Sequence, residues 1–210
     1  MADIFFSSDH HFFHERIIGY ANRPFHTVGE MNECMIERHN EIVRSQDHIY
    51  FLGDVTMLRD NQGRGLGILR RMNGHKRLIM GNHDHYAMKF YLEHFEKVMA
   101  MNVIGGLRFT HIPVHPISMG NVLGNVHGHI HQNDSPHPVM WIDRKTQKLK
   151  VQPYINISVE VTGYRPVNLD WLIKEAKRLS DEGEESKPDR GRILLGTEEQ
   201  MRRSNDGSSE

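Results

Sequence analysis

The first two thirds of the chain repeat one pattern, in which a short apolar run is followed at once by a cluster of polar residues. These runs have the length and composition of buried strands. They cover residues 4–8, 48–52, 77–80, 107–110 and 121–126. A sixth run, 154–161, lies further along the chain. The pattern predicts strands that deliver polar side chains at their carboxyl ends, where open α/β sheets place their sites.

Other segments have the spacing of helices. Apolar residues separated by charges predict a helix over 31–44 that packs by one face, and residues 66–72 predict another, closed by Asn73-Gly74. Asn168 is the predicted N-cap of a later helix. Its apolar positions are Leu169, Leu172, Ile173, Ala176 and Leu179. Mixed strands and helices predict an α/β fold class.

Length and composition indicate one domain with a tail. The chain has 210 residues and a mass of 24.5 kDa, enough to bury a continuous core. From residue 181 most residues are charged or have small side chains, so we expect a domain over 1–180 and a flexible tail over 181–210.

Cysteine content and apolar runs indicate the compartment. Cys34 is the only cysteine and cannot close an intrachain disulfide, and no apolar run suits a signal sequence or a membrane span. We therefore expect a cytoplasmic protein with no membrane partner.

The overall charge gives no sign of a bulk nucleic-acid binder. The formal net charge is -1, and charged residues make up 25% of the chain. An extended nucleic-acid track needs many basic residues for phosphates, so a nucleic-acid partner is not favoured. The oligomeric state stays open.

The chain contains 16 histidines, and several lie in the polar clusters after the predicted strands. The side chains able to bind metal there are Asp9, His11, Asp54, Asn82, His83, His111, His129 and His131. This set offers carboxylate, amide and imidazole groups, which suit Mn, Fe, Zn, Ni or Co better than a structural cysteine-type zinc site. Since residues i and i+2 of a strand point to one side, Asp9 with His11 and His129 with His131 can each direct two ligands to one place.

Five motifs in this order carry a family resemblance. They are Asp9-x-His11, Gly53-Asp54, Gly81-Asn82-His83-Asp84, the single His111, and Gly128-His129-x-His131. Together they resemble the calcineurin-like metallophosphoesterase superfamily, over more than half of the chain. Residues 156–159 and 164–167 further resemble the end of small, uncapped bacterial and phage-type members.

The resemblance implies a fold and a ligand set. The fold would be a four-layer α-β-β-α sandwich of two mixed sheets flanked by helices. One divalent metal would be held by Asp9, His11 and His131. The other would be held by Asn82, His111 and His129, and Asp54 would bridge both. Manganese is the first choice for this pair, with Fe, Zn, Ni or Co as alternatives.

The resemblance also implies catalytic and substrate-binding roles. His83 would contact the substrate without binding metal, and Asp84 would orient it. The arginine that many members carry soon after Gly-Asp is missing, so Arg59 or Arg23 is a candidate replacement. Substrate contacts are therefore expected from Arg23, Asn82 and His83.

The expected function is hydrolysis of phosphate esters by a metal-bridging hydroxide. Phosphodiesters of small or nucleotide-like substrates are the expected substrates, and the sequence leaves the preference between monoesters and diesters open. The chain has no obvious cap domain, so we expect a shallow and permissive site. Two alternatives stay open: a nuclease acting on DNA or RNA, and a non-catalytic metal-bearing binding module. Neither the natural substrate nor the native metal pair follows from the sequence.

Overall fold

The computed structural model describes residues 2–58, 60, 62–142 and 149–185. Within these ranges the strands are β1 (Ile4–Ser7), β2 (His48–Phe51), β3 (His75–Ile79), β4 (Lys97–Met99), β5 (Asn102–Ile104), β6 (Leu107–Phe109), β7 (Gly124–His127), β8 (Val139–Ile142), β9 (Leu149–Gln152), β10 (Tyr154–Asn156) and β11 (Val167–Asn168). The α-helices are α1 (Ile17–Tyr20), α2 (Val28–Asn40), α3 (Met88–Leu92) and α4 (Leu169–Glu185). Two 3-10 helices cover Arg64–Arg71 and Pro116–Ser118.

The strands form two mixed sheets and a separate hairpin. The first sheet has the order β11-β1-β2-β3-β4, with β1 to β4 parallel and β11 antiparallel at the edge. The second has the order β10-β7-β6-β5, with β5 antiparallel to its neighbour. Strands β8 and β9 pair with each other. The expected combination of two mixed sheets with helices is therefore confirmed.

The hydrophobic core has two parts, one on each face of the first sheet. Alternation along β1 sends Phe5 towards α2 and Phe6 towards the second sheet. The Phe6 ring stacks on Phe109 of the second sheet, with ring centroids 3.9 Å apart. Parallel strands buried on both faces read as unbroken apolar runs, which explains why the runs at β1 and β2 are easy to find in the sequence.

Helix α2 begins earlier than its apolar spacing predicts. It covers Val28–Asn40 rather than 31–44, because Thr27 caps its first turn. The Thr27 hydroxyl accepts a hydrogen bond from the Glu30 amide, and the Glu30 carboxylate accepts one from the His26 amide. This arrangement resembles a capping box, and it stabilises the start of the helix ahead of its first buried methionine.

Helix α4 closes one end of the core between the sheets. The predicted N-cap is confirmed, since the Asn168 side chain accepts a hydrogen bond from the Asp170 amide. Leu172 and Ala176 are fully buried against both sheets.

The expected domain boundary at residue 181 falls inside helix α4, and residues 186–210 of the predicted tail lie outside the described residues. Among the described residues, no helix is long and apolar enough to cross a membrane.

The outer face of the second sheet is covered by a loop. The Tyr154 hydroxyl donates to the Val114 carbonyl, and the Asn125 side chain accepts from the Val114 amide.

The predicted strand 154–161 is shorter than expected and ends at Asn156. Beyond it the backbone makes a single bridge at Ser158, with Ser8, and then turns. This turn brings the end of the apolar run to the carboxyl end of β1.

Candidate metal centre

The predicted ligands lie on loops after the parallel strands, and five of them have backbone torsion angles that L-residues rarely adopt. Their φ angles are 60° for Asp9, 50° for His11, 54° for Asp54, 72° for His129 and 51° for His131. Only three other non-glycine residues in the described ranges have positive φ. Such conformations cost about 1–3 kcal/mol each and persist where the surrounding structure fixes them. Asp9 with His11 and His129 with His131 therefore lie in left-handed turns beyond the strands, and not in the extended strands that the i, i+2 spacing predicts.

Asp9, His11 and His131 form one group of potential ligands. One side-chain atom of each lies within 4.8 Å of the others. The rings of His11 and His131 have centroids 5.2 Å apart. The Asp9 carboxylate is held by the His129 amide at 2.9 and 3.1 Å and by the Ser158 hydroxyl at 3.0 Å. The loops after β1 and β7 are thereby tied together around this group.

A second group contains Asp54, His111 and His129, again with ligand atoms within 4.8 Å. The His111 ring pairs its Nδ1 with the Leu52 carbonyl at 2.7 Å, so Nδ1–H donates there and Nε2 faces the group. Asn82 Oδ1 lies 2.8 Å from that Nε2. The Asp54 carboxylate oxygen Oδ2 also faces this nitrogen, at 3.4 Å. Because His111 Nε2 faces two oxygen acceptors, a cation is needed there, either a proton on the nitrogen or a metal ion. All four residues assigned to this side by the resemblance are therefore close together.

The Asp54 carboxylate lies between the two groups. Its Oδ2 is 3.5 Å from His11 Nε2 and 3.4 Å from His111 Nε2. His11 Nε2 is buried and has no hydrogen-bond partner among the described residues. A buried polar atom without a partner is costly, and because this nitrogen faces the Asp54 carboxylate, a cation held there would give it a partner.

Burial and nearby charge shift the pKa values of the candidate ligands in different directions. Burial lowers the pKa of His11 to about 2. Burial also acts to lower the pKa of His111, but the Asp54 hydrogen bond and the charges of Asp9 and Asp54 outweigh it and raise the value to about 9. For Asp54, the His111 hydrogen bond and nearby positive charge overcome the effect of burial and lower the pKa to about 2. A metal ion binding beside Asp54 and His111 must therefore displace a proton.

Glycines allow the loops to approach the carboxylates closely. A Cβ added at Gly128 would lie 2.0 Å from Ser8 Oγ and 2.2 Å from Asp9 Oδ2. A Cβ added at Gly81 would lie 2.2 Å from Asp54 Oδ1. The glycines in the sequence motifs are thus required by packing against the candidate ligands.

Asp84 has a different role from the predicted one. Its carboxylate accepts hydrogen bonds from the amides of Gly81 at 2.7 Å, Asp54 at 3.0 Å and Val55 at 3.1 Å. It makes no hydrogen bond to the His83 ring within the described structure. Asp84 therefore joins the loops after β2 and β3 and positions Asp54, which corrects the expectation that it orients His83.

Arg23 is also placed differently from the substrate contact expected of it. The residue is 4% exposed, and its guanidinium donates to the carbonyls of Asp9 at 2.7 Å and His10 at 2.8 Å. The remaining donors reach Glu160 Oε1, at 2.9 and 2.6 Å, and Met31 Sδ, at 3.3 Å. All five N–H groups are used, so none is left for a substrate. The other candidate, Arg59, lies outside the described residues.

Glu160 is the site residue that sequence reasoning missed. Its Oε1 accepts a hydrogen bond from His131 Nδ1 at 2.8 Å as well as those from Arg23. The signal was available, since Glu160 is a single carboxylate inside the apolar run 154–161. Acidic residues are almost never buried without a partner, so this position indicates a paired carboxylate.

His83 lies beside the two groups without belonging to either. Its backbone amide donates to Asp54 Oδ1 at 2.8 Å, and its ring centroid is 5.6 Å from that of His11. The side chain lines a cavity of about 460 Å³. The other lining residues are Thr56, Met57, Leu58, Asp60, His85 and Tyr86. A molecule in this cavity would contact His83 next to the candidate ligands.

The fold and the site define an α/β protein of two packed mixed sheets with a paired histidine and carboxylate centre at the strand ends. No family model matches the chain. The chain is 35% identical over 175 residues to the uncharacterized protein MJ1445 of Methanocaldococcus jannaschii, covering 83% of this chain and 91% of that protein. The chain therefore belongs to the same protein family as MJ1445.

Two further similarities are more limited. The gene 66 protein of Mycobacterium phage L5 is 32% identical over 85 residues, which cover 40% of this chain and 41% of that protein. A crystal structure of the protein of unknown function AQ665 from Aquifex aeolicus matches 83% of this chain and 100% of its own, with a TM-score of 0.61 and 24% sequence identity. This structure supports the fold alone.

Proposed function

We propose that this protein is a dinuclear-metal-dependent phosphoesterase of the calcineurin-like type, with the four-layer arrangement implied by its motifs. The observation that carries the proposal is the position of Asp54 Oδ2, 3.5 and 3.4 Å from the imidazole nitrogens of two separate ligand groups. A carboxylate so placed can share its oxygens between two cations. Paired cations in hydrolytic sites are about 3.5–4 Å apart.

The chemistry of the residues fits two borderline divalent ions. Asp9, His11 and His131 would hold one ion, and Asn82, His111 and His129 the other, with Asp54 between them. The donors are oxygen and imidazole nitrogen with no thiolate, which favours Mn²⁺ and also admits Fe, Zn, Ni or Co. The buried, unpartnered His11 Nε2 supports the same assignment.

The reaction follows from what the chain's own residues offer. Bound cations would supply the Lewis acidity that activates water and offsets charge on the phosphate. Asn82 is neutral, so it contributes an oxygen without cancelling positive charge needed for an anionic substrate. His83 stands beside the centre and would donate a proton to the departing ester oxygen, a contribution on the order of 10²-fold or more in rate.

The cavity beside His83 supports a small substrate. Its volume of about 460 Å³ is in the range of small-molecule sites. Met57, Leu58 and Tyr86 give it an apolar wall next to the proton donor. We therefore propose a phosphodiester of a small or nucleotide-like alcohol as the substrate, with the leaving group seated on this wall.

The test is hydrolysis of bis(p-nitrophenyl) phosphate by the full chain with added Mn²⁺, and its loss on chelation. His83→Ala should retain both ions and lose about 10²-fold or more in rate, whereas His137→Ala, at an exposed position, should leave the rate unchanged. A metal-loaded protein that hydrolyses neither diesters nor monoesters would favour the non-catalytic binding module. Salt-sensitive cleavage of labelled DNA in place of small diesters would favour the nuclease.

A further inference from the structure

The buried pair Arg23–Glu160 contacts two residues of one ligand group, Asp9 and His131, and the residue that precedes the third, His11. Glu160 Oε1 accepts from His131 Nδ1 at 2.8 Å. Arg23 is bound to the same oxygen at 2.6 Å and donates to the Asp9 carbonyl at 2.7 Å. The His10 carbonyl, next to His11, accepts a further Arg23 hydrogen bond at 2.8 Å. The loops after β1 and β7 are therefore fixed to one ion pair.

The pair also determines which nitrogen of His131 faces the group. Because Nδ1 is occupied by Glu160, Nε2 is the nitrogen that presents a lone pair towards Asp9 and His11. A ligand histidine whose other nitrogen donates to a carboxylate has a fixed tautomer, a fixed ring orientation and a more basic ligand atom. The burial of the pair keeps these contacts in a region of weak solvent screening, with the Glu160 side chain 4% and the Arg23 side chain 0% exposed.

The second ligand group is oriented by different partners. His111 Nδ1–H donates a hydrogen bond to the Leu52 carbonyl, and the His83 amide donates one to the Asp54 carboxylate. No hydrogen bond within the described ranges joins Arg23 or Glu160 to Asp54, His111 or His129. The pair therefore contacts the first group directly and reaches the second only through that group, by the His129 amide bonded to Asp9 and the His11 amide bonded to the Asp54 carbonyl.

We infer that Glu160 and Arg23 are positioning residues that set the affinity of one metal position, formed by Asp9, His11 and His131, without setting that of the other. This inference rests on the proposed dinuclear centre and specifies how the two positions differ. Loss of the Glu160 charge weakens His131 as a ligand and loosens the Arg23 contacts to the Asp9 loop. Removal of such a carboxylate partner lowers metal affinity by about 10–100-fold.

The experiment is calorimetric titration of the metal-free full chain with Mn²⁺, comparing wild type with Glu160→Gln. We expect two sites in the wild type, and in the variant one site weakened about 10–100-fold beside one unchanged. Glu160→Asp should recover part of the loss, since a carboxylate returns. Glu33→Gln is the matched control, because Glu33 forms an exposed ion pair with Arg71, and within the described residues neither side chain bonds to a candidate ligand; it should alter neither site.

A second readout separates positioning from general loss of structure. Nitrogen-15 spectra of the metal-free wild type should show that His131 carries its proton on Nδ1, where it is hydrogen-bonded to Glu160. Glu160→Gln should change this signal, while its backbone amide spectrum should remain that of a folded protein. Equal weakening of both metal sites, or no weakening of either, would overturn the inference. If Glu160→Gln does not fold, the wild-type spectrum decides, and a His131 signal without a proton on Nδ1 would also overturn the inference. Two Mn²⁺ sites without any ester hydrolysis would refute the proposed function and leave this inference intact.

Discussion

Replacing Gly81 by alanine tests how tightly the loop after β3 packs against the central carboxylate. An added Cβ would lie 2.2 Å from Asp54 Oδ1, 2.6 Å from the Asp54 amide nitrogen and 3.0 Å from its Cγ. Gly81 does not have a positive φ, so alanine can adopt its backbone conformation without torsional strain. The effect of Gly81→Ala should therefore come from contact with Asp54 alone.

The size of the displacement follows from those distances. Ordinary van der Waals contact begins at 3.4 Å, so Asp54 Oδ1 must move by the difference from 2.2 Å, which is about 1.2 Å. The backbone nitrogen of Asp54 is also too close, so rotation of the side chain alone cannot relieve the contact. A misplacement of about 1 Å near reacting groups costs on the order of 10²-fold in rate, and overpacking costs about 1–3 kcal/mol in stability.

The assay compares Mn²⁺ titration and diester turnover of Gly81→Ala with those of Gly67→Ala. Gly67 lies in the 3-10 helix Arg64–Arg71, and an added Cβ there meets nothing within 4 Å. We expect Gly81→Ala to remain folded by circular dichroism, bind Mn²⁺ more weakly and lose about 10²-fold in rate, while Gly67→Ala behaves as wild type. Unchanged Mn²⁺ affinity and rate in Gly81→Ala would refute the close-packing argument.

Three further predictions concern single residues. Asp54→Asn should lose Mn²⁺ at both positions in calorimetry, because its carboxylate lies between them; retention of both ions would contradict this role. Asp84→Ala should lower the free energy of unfolding in urea by about 3 kcal/mol or more, because it leaves three backbone amides without an acceptor; Asp84→Asn, which keeps one oxygen, should lose less. Burial lowers the pKa of His39 to about 4, so the unfolded chain takes up a proton near pH 6.5 before the folded protein does. The contribution of His39 to metal-free stability should then fall by up to about 3 kcal/mol from pH 6.5 to 4, so His39→Gln should make the free energy of unfolding less dependent on pH; an equal slope in both proteins would contradict it.

The sequence predicted the sheet-forming strands and the ligand loops because both produce strong local patterns. Strands buried on two faces leave unbroken apolar runs, and the motif glycines mark loops that approach carboxylates. The early start of α2 was missed although Thr27 and Glu30 have the spacing of a capping box. The short strands β4, β5 and β11 have three residues or fewer, and none of the predicted apolar runs covers them.

The roles of Asp84, Arg23 and Glu160 could not be derived from their own neighbourhoods. Glu160 is far from Arg23 in the chain, separated by 137 positions, so their pairing depends on the tertiary fold. Asp84 follows His83 directly, yet its carboxylate accepts from backbone amides, because buried N–H groups left without an acceptor are costly. Short motifs thus located the site, whereas the direction of each side chain depended on competition for buried hydrogen bonds.

The proposed function requires two cations that share Asp54. The most direct measurement is anomalous X-ray diffraction from crystals of the full chain grown with Mn²⁺. We expect two anomalous peaks about 3.5–4 Å apart, one beside Asp9, His11 and His131 and the other beside Asn82 and His111, with Asp54 between them. A single peak, a pair of peaks that Asp54 does not join, or the absence of any peak at this site would contradict it.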